Sequence, residues 1–421
     1  MTTQPKFRGW WILLWATIAA GATAPGQTIG VSSFVDHVID DLGITRNALS
    51  AAYLFGTLLA ATFAPWVGRK LDIHGVRRPT LIIAVSFVAA IAYMGTVRNL
   101  VMLAIGFTFI RLLGQGSLTL ATSNVVSLWF YKRLGLANGV KGTASGLLLS
   151  LAPLLFTLAI DGFGWRWAWV AIAIGTGCIL IPIALWGFVD RPSDIGQFPD
   201  GADAEPTTDH ATGAARQRAH TVKEATSSPS FWVLIGISAV TGALSTGLVF
   251  QHVSIMEEAG LTETQAASVF LPMAVAIAST ALVFGFLVDR VSTRVLLPLT
   301  MAFMAAAMLA APLVNPGFSA WGYGALLGIV GGATQTVSLT VLPRWFGVDN
   351  QGALRGIAHV AGGGASAIGP LMLSLGQSTA GSYAPALRWY MLIPATVGLA
   401  SIIVGAPKPL DDEQLIEDTE N

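Results

Sequence analysis

The sequence predicts an all-α integral membrane protein with twelve transmembrane helices in two repeated halves of six. Three observations predict it. Of 421 residues, 53% are hydrophobic and 11% charged, whereas a soluble surface carries roughly a quarter to a third charged side chains. Runs free of Asp, Glu, Lys and Arg repeatedly reach the ~20 residues that a helix needs to cross the hydrocarbon core. A motif also recurs. Gly68-Arg-Lys-Leu-Asp72-Ile-His-Gly75-Val-Arg77-Arg78 is echoed 217 residues later by Gly285-Phe-Leu-Val-Asp289-Arg290-Val-Ser-Thr-Arg294, keeping the Gly-x-x-x-Asp spacing and the arginine five residues on. Gly43 and Gly260 share that offset, as do Thr45 and Thr262, and a fixed period of this kind is an internal duplication.

The expected helices cover residues 9–34, 48–68, 79–97, 100–130, 136–160, 166–189, 231–255, 265–288, 295–314, 318–343, 354–377 and 387–406. Residues 1–189 make the N-terminal half, 190–230 a cytoplasmic linker, 231–406 the C-terminal half and 407–421 an acidic cytoplasmic tail. Cytoplasmic loops carry the excess of Lys and Arg. With the N-terminus inside, Arg46, Arg98, Arg166 and Arg388 fall outside, Arg111 and Lys141 fall within helices, and the other 17 of the 23 basic residues face the cytoplasm. Both termini are then cytoplasmic in a multi-pass protein of the cell membrane, with the lipid bilayer as its solvent.

Taken in order, helix 1 follows an interfacial Trp10-Trp11 anchor and holds Gly21, Pro25, Gly26, Gln27, Thr28 and Gly30. Pro and Gly in mid-span loosen a helix and admit a close neighbour, and Gln27 and Thr28 are either packing residues or cavity-lining groups. Asp36, Asp40 and Asp41 read as a solvated loop. Helix 2 carries Tyr53 and ends in the repeated motif. Helix 4 has one charge between Arg98 and Lys132. That charge is Arg111, about eleven residues in from the outer end and so near the bilayer midplane. Gln115, Thr119 and Thr122 follow it at α-helical spacing. The arginine either heads a polar cavity stripe or bonds backbone carbonyls at a helix crossing.

In helix 5, Lys141 lies within Gly139-Val-Lys-Gly-Thr-Ala-Ser-Gly146. It is either a cavity residue or a lysine that snorkels to the headgroups, and the glycines predict close helix packing. Helices 6 and 12 open on aromatic and basic interface anchors, Trp165-Arg166 and Arg388-Trp389. The second half repeats the first without its charges, since Arg111 corresponds to Gly328 and Lys141 to Ala358. Its polar candidates are Ser245, Gln251 and His252 on helix 7, Gln335 and Thr336 on helix 10, and His359 on helix 11, a packing histidine or a titrating one.

The charge sum is zero, which suggests no nucleic-acid partner. Cys178 is the lone cysteine, so no Cys-based metal site is expected, and no cofactor either. The first apolar run is full length with aromatic and basic flanks, unlike a cleavable signal. Neither a nucleophile with its base nor paired carboxylates occur in a catalytic pattern, which argues against an enzyme. The polar linker is too short and poorly patterned for the soluble region of a receptor.

At the repeated motif, glycine lets a neighbouring helix approach, and a carboxylate at a helix end can meet a partner helix N-terminus or the nearby arginines. Contacts that close and break in this way make a gate of Gly68, Asp72, Arg77, Arg78, Gly285, Asp289 and Arg294. Together with twelve spans, the linker and Arg111-Leu-Leu-Gly114-Gln-Gly116 on helix 4, this pattern resembles the major facilitator superfamily of secondary transporters. The resemblance implies two pseudo-symmetric six-helix bundles around a central cavity that rocks between outward-open and inward-open states.

Within that superfamily Gly9-Trp10, Gly26-Gln-Thr-Ile-Gly-Val-Ser-Ser-Phe34 and Trp129-Phe-Tyr-Lys132-Arg133-Leu-Gly-Leu-Ala137-Asn-Gly139 are similar to the monocarboxylate transporter and oxalate:formate antiporter branch. That branch carries an arginine on helix 8, where this chain has Ala281, and oxalate carriers use a lysine on helix 11, where this chain offers His359. Doubly charged oxalate is disfavoured on that count. Positive charges in the spans and no deep carboxylate point to a small organic anion, a monocarboxylate included, with a coupled proton or counter-anion. Export of amphipathic or neutral molecules is the alternative, and a transporter-like receptor a further one. The expected substrate contacts are Arg111, Gln115, Thr119, Gln27, Thr28, Tyr53, Gln251, Gln335 and His359, in a monomer.

Overall fold

The computed structural model describes residues 7–130, 133–201, 221–288, 290–346 and 351–407. Asp289, the acidic tail beyond Pro407 and the side chains of Gly68, Asp72 and His359 lie outside the described residues. The chain is helical almost throughout. We label the principal helices α1 (Gly9–Gly21), α2 (Arg46–His74), α3 (Arg77–Met94), α4 (Leu100–Trp129), α5 (Leu134–Phe163), α6 (Trp165–Pro182), α7 (Pro229–Phe250), α8 (Glu263–Val288), α9 (Thr293–Ala310), α10 (Phe318–Phe346), α11 (Gln351–Ala380) and α12 (Tyr383–Val404).

Two compact units result. The first comprises residues 1–209 with 249–274, and the second residues 210–248 with 275–421. In the first, α1 packs along α4 and α5, α2 along α4, and α3 along α6. Its core is built on large rings, with Phe34 stacked on Trp169 at 4.1 Å and Phe87 and Trp129 fully enclosed. In the second, α9 packs along α12, repeating the α3–α6 pair, and Phe231, Met301, Val341 and Phe346 are enclosed.

The duplication is visible in backbone detail. Gly43 and Gly260 are both left-handed, at φ 61° and 84°, as are Gly164 and Gly381 at φ 75° and 79°. Such angles favour glycine. Thr45 and Thr262 each cap the helix that follows, accepting from the Ala48 and Gln265 amides, so one turn chemistry was copied with the sequence.

Helix 1 is not continuous. α1 stops at Gly21, a 3₁₀ turn covers Ala24–Gly26, Gln27 is extended at φ −92° and ψ 153°, and short helical pieces follow to Phe34. Pro25 causes the break, because proline lacks an N–H and collides with the carbonyl four residues back. The break is also where backbones meet. A Cβ on Gly26 would collide with the Ile110 carbonyl and lie 3.0 Å from the Gly114 Cα.

Three expectations are corrected. Asp36, Asp40 and Asp41 belong to a helix, Val35–Leu42, rather than a solvated loop, and Asp36 pairs with Arg46 while Asp41 meets Arg166 at 2.6 Å. Arg166 is more than an interface anchor, since it also donates to the Gly95 and Val97 carbonyls at 3.3 and 2.6 Å. The glycines of α5 do not mark close packing: a Cβ on Gly139, Gly142 or Gly146 would meet nothing within 4 Å.

Gly26 and Gly142 therefore respond oppositely to alanine. Gly26→Ala overpacks a backbone contact and lowers stability by about 1–3 kcal/mol. Gly142→Ala, with open space and a helical backbone, is neutral or stabilising by up to about 1 kcal/mol. Thermal unfolding in detergent checks both, and a Gly26→Ala melting point equal to that of the parent would contradict the contact.

Candidate functional site

The site assembles where two helices lose regularity at the same place. In α4 the residues from Arg111 to Leu118 form a π-helical stretch, a geometry that recurs at functional positions. Opposite it lies the break in helix 1. The Arg111 guanidinium fills the gap: Nη1 donates to the Gly26 carbonyl at 3.3 Å and to Thr28 Oγ1 at 3.4 Å, and Nε donates to Thr57 Oγ1 at 3.2 Å. Its carbon lies 4.9 Å from the centre of the Tyr53 ring, a cation–π contact. Thr28 and Tyr53 share a hydrogen bond of 2.7 Å. The arginine is 3% exposed, and among the described residues no carboxylate pairs with it. A buried cation with neutral partners only is an electrostatic demand left open.

Of the expected contacts, Arg111, Thr28 and Tyr53 come together. Gln27 is adjacent but turns to Thr23 Oγ1 at 3.0 Å. Gln115 is half-buried, and its Oε1 has no partner among the described residues. Thr119 is exposed and bonds the Gly114 carbonyl at 3.4 Å. Thr122 is fully buried and bonds the Thr119 carbonyl at 3.0 Å. The single polar stripe expected from α-helical spacing is thus broken up, because a helix bonded from i to i+5 turns less per residue than an α-helix.

Gln251 is not at Arg111. It accepts from Arg46 at 3.0 Å and donates to Ser50 at 3.2 Å. Gln335 is exposed in the second unit. Thr57 and the Gly26 carbonyl were missed, although Thr57 lies four residues after Tyr53 and so on the same helical face.

Of the residues expected to gate, Arg77 is the best defined. The Asp190 carboxylate accepts from the Val76 and Arg77 amides at 2.6 and 2.7 Å, and the Arg77 guanidinium donates to the Leu185 carbonyl. Gly75, at φ 76°, admits this approach, since a Cβ there would lie 2.7 Å from the carboxylate. The carboxylate meeting a helix N-terminus at this turn is therefore Asp190, which sequence spacing did not suggest. Arg78 is exposed. In the second copy Ser292 caps its own helix, accepting from the Arg294 amide, the Arg294 side chain lies against Gly405, and Gly285 has no near neighbour.

The model of the Major Facilitator Superfamily matches residues 16–370. This chain belongs to that superfamily. The superfamily is one of multi-pass membrane transporters rather than enzymes. An oxalate:formate antiporter of Oxalobacter formigenes is 26% identical over 232 residues, 53% of this chain and 50% of that protein; the chain thus spans about half the length of this curated relative. Two crystal structures of a bacterial homolog of the human lysosomal transporter Spinster share the fold. The inward-facing unoccupied form has a TM-score of 0.68 at 16% identity, covering 97% of this chain and 100% of that one. The inward-facing occupied form has 0.66 at 16%, covering 96% and 97%.

In this superfamily member residues 249–274 are held to the N-terminal bundle by a polar clasp. Arg46 bridges Asp36 and Gln251, His37 Nε2 lies 3.7 Å from Glu263, and the Phe250 ring is 4.4 Å from that of Tyr53. Burial pushes the nearby Glu257 carboxyl above the usual carboxylate range; Asp36 and Glu263 add to the push, and Arg46 and His37 oppose it. A carboxyl so raised binds its proton more tightly docked than free. Docking is then favoured below the ordinary carboxylate value and loses this contribution as pH rises through the raised one. Hydrogen exchange of peptides from 249–274, corrected for intrinsic rates, is expected to show more protection at about pH 5 than at about pH 7.5. Glu257→Gln should narrow that difference, and equal protection at both values would contradict the clasp.

Proposed function

We propose that this transporter carries small organic anions, monocarboxylates among them, by alternating access. The observation that carries the reading is Arg111, a guanidinium enclosed by the Gly26 carbonyl, two threonine hydroxyls and a tyrosine ring, with no counter-charge among the described residues. In a low-dielectric site that positive charge is felt strongly. Gln27 and Thr28, half-buried at the same break in helix 1, add polar groups beside it. The named relative, an oxalate:formate antiporter, supports a carboxylate substrate, and exchange against a counter-anion or coupling to a proton is consistent with it.

The bundle boundaries at residues 189 and 231, cytoplasmic termini and a gate at Gly68, Asp72, Arg77, Arg78, Gly285, Asp289 and Arg294 belong to the same proposal. A second reading has its own observation. Arg111 is 3% exposed with its donors on neutral partners, which suits a structural arginine in a carrier of neutral or amphipathic compounds.

Arg111→Gln separates them. Losing a charged hydrogen-bonding group should reduce carboxylate transport about ten-fold or more, while a neutral-substrate carrier would keep its flux. The measurement is uptake into proteoliposomes by protein whose melting point and elution profile match the parent. Unchanged carboxylate flux would overturn the anion reading.

A further inference from the structure

Lys141 is the second cation in the spans, and the mechanism above does not use it. It does not reach for a headgroup. Its ammonium crosses from α5 to α4 and donates to Ser123 Oγ at 2.8 Å, and the residue is 9% exposed. Ser123 Oγ in turn donates to the Thr119 carbonyl at 2.9 Å, so its hydrogen is committed and its lone pairs face the lysine. Among the described residues no carboxylate pairs with Lys141. One neutral hydroxyl does not offset the burial of a full charge.

The place of this lysine gives it meaning. On α4, Gln115, Thr119, Ser123 and Ser127 follow one another at intervals of four, each half-buried or exposed, and in the α-helical part of α4 that spacing keeps Thr119, Ser123 and Ser127 on one face. Lys141 is bonded at Ser123 on this face, and Arg111 lies on the same helix at the far end of the π-helical stretch. At 1.5 Å per residue, Arg111 and Ser123 are no more than about 18 Å apart along the helix. Beside Lys141 the α5 glycines 139, 142 and 146 leave open space.

We propose that Lys141 is a second anion-binding subsite, at which the carboxylate of a small organic anion completes the ion pair that the fold leaves unmade. This rests on the anion reading of Arg111. Two separate cationic stations divide the binding between them, whereas a single deep station would retain the anion; flux needs binding that is favourable enough to enter and divided enough to leave.

The test uses the full chain with formate, acetate, lactate and benzoate, and with acetamide and benzamide as uncharged counterparts. In right-side-out and inside-out membrane vesicles, Lys141→Gln should raise the KM for the transported carboxylate about five-fold or more from the face at which α5 begins. The KM from the other face and the maximal rate should stay within about two-fold, and Lys141→Arg should restore the KM. In detergent, the carboxylate-dependent rise in melting point should survive Arg111→Gln in part and vanish in Arg111→Gln/Lys141→Gln. An unchanged KM from both faces, or a loss of maximal rate alone, overturns the subsite while leaving the anion reading standing. Wild-type protein that neither transports nor is stabilised by any of the four carboxylates overturns both.

Discussion

The first unit is organised by one guanidinium set into a broken helix. Proline at position 25 leaves helix 1 without regular hydrogen bonding in mid-span, and the adjoining π-helical turns of α4 are irregular over the same contact. In hydrocarbon each unsatisfied backbone group costs several kcal/mol, and a lone buried cation is costly as well. Placed together, the two liabilities are met in part: the backbone gains a donor, while the charge keeps neutral partners only. The arginine satisfies the Gly26 carbonyl, the threonines of helices 1 and 2 take its other donors, and the tyrosine ring covers its face. Glycines at 26 and 114 are what let the helices come close enough for this.

The second half meets the corresponding positions differently. Where the first has Arg111 the second has Gly328. Its α7 approaches α11 through glycines: a Cβ on Gly242 would lie 2.7 Å from the Gly362 carbonyl, and one on Gly369 would strike that of Ala243. Close backbone contact between small residues is a common way to join helices in lipid. The duplicated halves thus keep the same caps and left-handed turns and have diverged in what fills the space between helices. Charge collects in one of them.

Much of this was legible. Gly43 and Thr45 could be paired with Gly260 and Thr262 because turn and cap chemistry is local, so a copied sequence copies the structure. That Arg111 is enclosed followed from its place in the middle of an apolar run. Other features depend on partners far away in sequence or on a change of helical period. The α4 stripe was misplaced because nothing in Arg111-Leu-Leu-Gly-Gln-Gly-Ser-Leu118 announces a wider turn. Asp190 was overlooked because its partners, the amides of residues 76 and 77, are over a hundred residues earlier. Asp36 and Asp41 looked solvated because acidic residues near a span end are so by default, and their arginines come from other helices.

The contact at Asp190 also bears on how the molecule can be dissected. The last apolar residue of the first half is Val189, an inviting place to cut the two halves apart. One residue further on sits the carboxylate that closes the N-terminus of α3. A fragment ending at Val189 would contain every hydrophobic surface of its six helices and still leave two amides without their acceptor. At the matching turn of the second half the cap is local, since Ser292 serves its own helix. The linker between the halves is thus, at its first residue, part of the first half's structure.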